Sequence, residues 1–151
     1  MSSYVNVTKK VPALYEAQAQ VAAAVNAAVA EAGLDPKLVE LVQLRSSQLN
    51  GCAFCLRMHT RDAIKAGEST DRLAVVAAWW ESQYFTPAEQ AALTIAEQIT
   101  LIGQAHTAPH PEIDVRAALT DEQIAAVTAV AISINSWNRI AIASGYPVAP
   151  E

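Results

Sequence analysis

The stretch Val39–His59, VELVQLRSSQLNGCAFCLRMH, holds two helical patterns separated by Asn50-Gly51. That dipeptide is a turn signal. Asp35 followed by Pro36 predicts the start of the first helix, an N-cap with proline at the first helical position. That helix is expected to run to about Gln48. The second helix is expected to start near Cys52 and stop at Gly67. An antiparallel helix hairpin at this point makes the chain an all-α protein.

Both cysteines of the chain lie in this stretch, as Cys52-Ala53-Phe54-Cys55, with His59 four residues further on. On a helix Cys52 and Cys55 are i,i+3 neighbours, and Cys55 and His59 are i,i+4 neighbours. The motif follows the turn, so it occupies a first helical turn. Free N–H groups and the helix dipole there favour anions. A thiol in such a place ionises below its usual pKa of ~8.5. A second thiol one turn away can then close a disulfide.

Glu40 lies ten residues before Asn50, and His59 eight residues after Gly51. At a rise of ~1.5 Å per residue these are ~15 Å and ~12 Å from the turn, so the hairpin brings them level. Glu40 is the only charged residue between Leu38 and Leu44. A carboxylate in an apolar run needs a partner, and an imidazole suits it. Carboxylate, imidazole and thiol in line form the orienter, base and nucleophile of covalent catalysis. Other roles compete for the same residues. The cysteines could be small buried side chains. Cys52, Cys55 and His59, with Glu40 as a fourth ligand, could hold a metal, although a structural zinc site usually shows a second Cys/His pair. His59 could be a core histidine, and Glu40 a surface residue.

Outward from the hairpin, helical signals continue. Residues 1–11 are expected to be an extended or loosely ordered arm. Pro12 opens a helix with Leu14, Val21, Ala24, Val25 and Ala28 on one face, and Gly33 stops it. Thr70 or Asp71 is expected to cap a short helix ending near Trp80. Thr86-Pro87-Ala88-Glu89 is a capping box. It starts a helix with Ala92, Ile95, Ala96 and Ile99 inside. Ala105–Pro111, with His106 and His110, is expected to be a loop, and Asp114–Leu119 a short helix. Thr120–Gln123 is a second capping box. The helix it opens is apolar almost all round, with Ile124, Val127, Val130, Ile132 and Ile134, and so is expected in the core or a subunit interface. Asn135–Asn138 is expected to bend it before Gly145-Tyr146-Pro147 ends it. Asn135, Asn138 and Arg139 are expected to make hydrogen bonds between subunits. Trp79, Trp80, Tyr84 and Phe85 are assigned to packing, and Arg57, Arg61 and Lys65 to a solvated face.

Composition agrees with this outline. The 151 residues allow one domain, 1–151, and include 31 alanines against 5 glycines. Formal net charge is −5, which argues against nucleic acid and against an anionic membrane surface. Two cysteines are too few for a secreted disulfide scaffold. No signal peptide is visible, and no apolar run approaches the ~20 residues of a membrane span. A cytoplasmic helical protein is expected.

The arrangement Glu40-x₁₁-Cys52-x-x-Cys55-x-x-x-His59 resembles the active-site signature of the carboxymuconolactone decarboxylase superfamily, in its alkylhydroperoxidase D-like branch. Val39–His59, Tyr84–Thr100 (YFTPAEQAALTIAEQIT) and Asn135–Ala143 (NSWNRIAIA) are similar to that family's core and last helix. The resemblance covers most of residues 36–145. It implies an all-α bundle of about six to seven helices, with the Cys motif at a helix N-terminus, assembled as a homo-oligomer, a trimer or hexamer. It implies a thiol-dependent hydroperoxide reductase with no organic cofactor and no metal. The dithiol would be restored by a thiol reductant protein or a dihydrolipoyl-type donor.

The resemblance also assigns the roles. Cys55 is the peroxidatic thiol, Cys52 the resolving one, and His59 with Glu40 the proton relay. The helix-start argument alone favours Cys52 as the more acidic thiol, while the spacing to His59 favours Cys55. One departure stands out: well-known members carry a second histidine where this chain has Phe54. Two alternatives remain open. One is a cofactor-independent decarboxylase of a small lactone or acid. The other is a non-enzymatic redox sensor whose disulfide controls assembly.

Overall fold

The computed structural model describes residues 4–104 and 112–150. His106 and His110, assigned to a loop, lie outside the described residues. No strand occurs among the described residues, which form an all-α protein. The helices are α1 (Val7–Lys10), α2 (Pro12–Glu31), α3 (Pro36–Asn50), α4 (Ala53–Lys65), α5 (Thr70–Val75), α6 (Pro87–Thr100), α7 (Val115–Ala118) and α8 (Asp121–Ala143). Six of the eight exceed one turn, in keeping with the expected six to seven.

The capping residues explain most boundaries. Asp35 accepts the N–H of Lys37, and Pro36 follows it at the first helical position of α3. Thr86 and Thr120 close the two expected capping boxes, on Glu89 and Gln123. Three expectations are corrected. The arm is not wholly extended, because Asn6 accepts the N–H of Lys9 and starts the single turn α1. Ser69, one residue earlier than expected, caps α5, and a 3₁₀ segment Val76–Glu81 follows it. α8 passes through Asn135–Asn138 without a break.

α3 is the central helix and packs against α4, α6 and α8. One core cluster joins Leu38 and Val42 of α3 to Ala92 and Ile95 of α6 and Val127 and Val130 of α8. Another places Leu41 and Leu44 against Leu93, Trp79 and Phe85. Each such aliphatic side chain contributes roughly 1.5–3 kcal/mol by leaving water. Of the four aromatic residues assigned to packing, Trp79 and Phe85 are buried while Tyr84 stays exposed.

The inner face of α2 is rotated from expectation. Val25 and Ala28 pack on the core, but Leu14 and Val21 are exposed. Gln18 is the buried residue of that helix, and its amide donates to the Ser133 carbonyl oxygen and hydroxyl. A polar side chain thus fixes the register of α2 on α8.

Two charged networks pin the outer elements. Arg45 Nε donates to Glu97 Oε1 at 2.8 Å, and Trp79 Nε1 donates to the same oxygen at 2.9 Å. Arg72 pairs with Glu68 and Glu89, joining α5 to α6. The hydrogen bond to Glu68, foremost, holds the Arg72 guanidinium above its ordinary pKa range. No helix among the described residues is long and apolar enough to cross a membrane.

Candidate active site

The site is built at the junction of α3 and α4. Gly51 terminates α3 in the left-handed conformation, φ 67°, which costs a glycine nothing. The N–H of Cys52 donates back to the Ser47 carbonyl at 3.0 Å. The chain therefore reverses within one residue, and Cys52 becomes the N-cap of α4. Its sulfur takes the place that a serine or aspartate oxygen usually fills, accepting the N–H of Cys55 at 3.4 Å.

Cys52 and Cys55 are joined by a disulfide, with Cα atoms 5.4 Å apart. The spacing of the two residues on one helical turn permits this bridge. Both residues are buried. Their cluster contains Ala141 of α8, with Phe54 and Tyr146 packed against it.

The hairpin brings Glu40 and His59 together. His59 Nδ1 lies 2.9 Å from Glu40 Oε2. The ionised carboxylate accepts from Nδ1–H, and in the neutral ring that leaves the lone pair on Nε2. Nε2 is buried and has no hydrogen-bond partner among the described residues. Cys55 lies one turn before His59 on the same helix. An oriented base and a thiol one turn apart are the parts needed to activate a sulfur nucleophile.

Glu40, His59 and Asp62 place donor atoms within 4.8 Å of one another, a grouping that could hold a cation. The Glu40–His59 hydrogen bond uses two of those donors, and Asp62 also meets Lys65. The four-ligand set Cys52, Cys55, His59 and Glu40 is not assembled for a metal, since the sulfurs are bonded to each other.

A polar network anchors the turn. Asn50 Nδ2 donates to Asn135 Oδ1 at 2.9 Å and to Asn138 Oδ1 at 2.8 Å. Asn138 Nδ2 donates to Ser47 Oγ at 3.0 Å, and Asn135 Nδ2 to Thr100 Oγ1 at 2.9 Å. Asn135 and Asn138 are therefore spent inside the chain, which corrects their assignment to bonds between subunits. Arg139, an exposed residue, also donates to Asn135 one turn earlier. Sequence reasoning took Asn50 only as a turn residue and missed it as the hub; a polar pair inside an apolar helix was the available signal.

A cavity of about 410 Å³ opens beside the disulfide. Cys52, Phe54, Ala141, Tyr146 and Tyr4 are among its walls, and no charged side chain lines it among the described residues. The cavity reaches Cys52 and not Cys55. Phe54 and Tyr146 meet edge to face with centroids 5.1 Å apart. Arg57, assigned to a solvated face, is half-buried and donates to the Ala149 carbonyl, while Arg61 and Lys65 are exposed.

Comparison with known proteins identifies a family and two similar proteins. The family model described as carboxymuconolactone decarboxylase family matches residues 12–98. An uncharacterized protein of Bacillus subtilis (strain 168), YdfG, is 44% identical over 106 residues, 70% of this chain and 72% of the relative. The crystal structure of ATU0492, a protein of unknown function from Agrobacterium tumefaciens, provisionally described as an antioxidant defence protein AhpD, superposes with a TM-score of 0.83. The identity is 30%, over 99% of this chain and 100% of that one.

Proposed function

The chain belongs to the carboxymuconolactone decarboxylase family, and on that premise we propose that it is a thiol-dependent hydroperoxide reductase of the alkylhydroperoxidase D-like branch. The observation that supports this most is the bridged Cys52–Cys55 pair one turn from a buried His59 oriented by Glu40. A proton-transfer decarboxylase has no use for a bridging dithiol. An anionic lactone would also find no counter-charge among the described residues of the cavity walls.

In the reduced protein Cys55 gives its proton to His59 Nε2, and Glu40 stabilises the imidazolium. The thiolate attacks the terminal oxygen of the hydroperoxide. The S–O bond forms, the O–O bond breaks, and His59 returns the proton so that an alcohol leaves. Cys55 is then a sulfenic acid. Cys52, whose sulfur is held by the Cys55 N–H, attacks Cys55 as a thiolate. The disulfide forms and water leaves with the Cys52 proton. A dithiol donor restores both thiols in two exchange steps and departs as its own disulfide.

The working form is a homo-oligomer, a trimer or hexamer, acting in the cytoplasm. Exposed Leu14, Tyr15 and Val21 on α2, with Ile132 and Ile142 on α8, support a buried surface between copies. The test of the activity is steady-state. A catalytic amount of protein with excess dihydrolipoamide should consume hydroperoxide well above the rate without protein. The same consumption by Cys55→Ser would overturn the proposal.

A further inference from the structure

The N-terminal arm contributes Tyr4 to the wall of the cavity beside Cys52, and the arm is held there by specific contacts. The Val7 N–H donates to Ser144 Oγ at 3.1 Å. Thr8 Oγ1 and the Tyr146 hydroxyl are hydrogen-bonded at 3.0 Å. These two anchors set Tyr4 over Gly145. A Cβ at position 145 would stand 2.8 Å from the Tyr4 ring, nearer than any side chain tolerates. Gly145 also has φ +59°, where a side chain is strained. The glycine is thus both the end of α8 and the seat of an aromatic ring from the far end of the chain. Tyr4, Phe54 and Tyr146 come from three distant segments and converge on one apolar cavity next to a reactive sulfur.

We infer that this cavity binds the uncharged, apolar organic group of the molecule that exchanges with the dithiol, and that Tyr4, seated on Gly145, is a specificity-determining residue. The inference rests on the redox role of the dithiol proposed above. Three aromatic walls and no charge favour a branched or aromatic hydrocarbon group over a carboxylate or phosphate. Two molecules could bring such a group, the hydroperoxide or the thiol donor. A single lost aromatic contact changes affinity by roughly 3- to 10-fold.

The experiment measures two ratios on wild type and variants. The reduced protein is reacted with cumene hydroperoxide and with hydrogen peroxide, and the oxidised protein with dihydrolipoamide and with dithiothreitol. Tyr4→Ala should lower the bulky-to-small rate ratio about 3- to 10-fold in the half-reaction whose molecule occupies the cavity. Tyr4→Phe should restore it. Gly145→Ala, which unseats the ring, should lower the same ratio. The double variant Tyr4→Ala/Gly145→Ala should be no worse than the single ones, because both act through one contact. A fall in the first ratio assigns the site to the peroxide, and in the second to the donor. Both ratios unchanged in Tyr4→Ala would overturn the inference. If wild type reacts with no hydroperoxide, the peroxidase proposal fails, while the disulfide half-reaction still decides the cavity.

Discussion

His59 Nδ1 meets Glu40 Oε2 at 2.9 Å, across 19 residues of chain and the reversal at Gly51. The pair leaves the far ring nitrogen of His59 buried, with no hydrogen-bond partner among the described residues, on the helix that Cys52 caps and that contains Cys55. Glu40→Gln would keep the shape and remove the charge that stabilises the imidazolium. Peroxide turnover is expected to fall by roughly 10²-fold, with the fold intact by circular dichroism. Full turnover and full thiol reactivity at pH 7 in that variant would make Glu40 a structural residue only.

The two sulfurs should differ in their failures. Cys55→Ser is expected to abolish turnover. Cys52→Ser should permit one oxidation per chain, leaving a sulfenic acid on Cys55 that a dimedone probe traps. Mass spectrometry of the trapped adduct checks the assignment. An adduct on Cys52 in Cys55→Ser, formed at the wild-type rate, would exchange the roles of the two thiols.

Arg45 and Glu97 are both buried, and Glu97 also accepts from Trp79. Arg45→Met would remove the guanidinium from a buried ion pair. Such a loss costs about 3–5 kcal/mol, which for a chain of this length lowers Tm by roughly 10 °C. Arg45→Met/Glu97→Gln removes both charges of the pair and keeps an acceptor for the indole, so it should recover part of the loss. Thermal unfolding of the two variants side by side decides this. A double variant less stable than Arg45→Met would contradict it.

Sedimentation equilibrium at micromolar concentration should give a multiple of the 16.1 kDa chain, three or six. Replacing Ile132 and Val21 together by Glu should lower that mass, since a charge in an apolar interface costs more than it does in water. A wild-type monomer would exclude the shared surface on α2 and α8.

Local chemistry in the sequence was legible where neighbours in the chain are neighbours in space. Helix rise alone placed Glu40 level with His59, and the capping boxes at Thr86 and Thr120 are where the residue types put them. Ser69 outcompeted Thr70 and Asp71 as a cap because any of the three can accept, and the choice depends on where the chain leaves Glu68, itself tied to Arg72. The missed features depend on long separations. Asn50 finds Asn138 over 88 residues, and Thr8 finds Tyr146 over 138. No periodicity encodes such meetings. Leu14 and Val21 flank Gln18 at helical spacing, yet the inward stripe turns toward Gln18, to which Ser133 and Ser136 offer partners.

The central claim, that Cys52 and Cys55 act as one two-electron dithiol toward peroxide, is tested most directly by counting thiols. The fully reduced protein is treated with one equivalent of cumene hydroperoxide per chain, and free thiols are titrated before and after in denaturant. The account predicts a loss of two thiols per chain, one equivalent of alcohol released, and full recovery of both thiols on adding dihydrolipoamide. Retention of both thiols after treatment would contradict it.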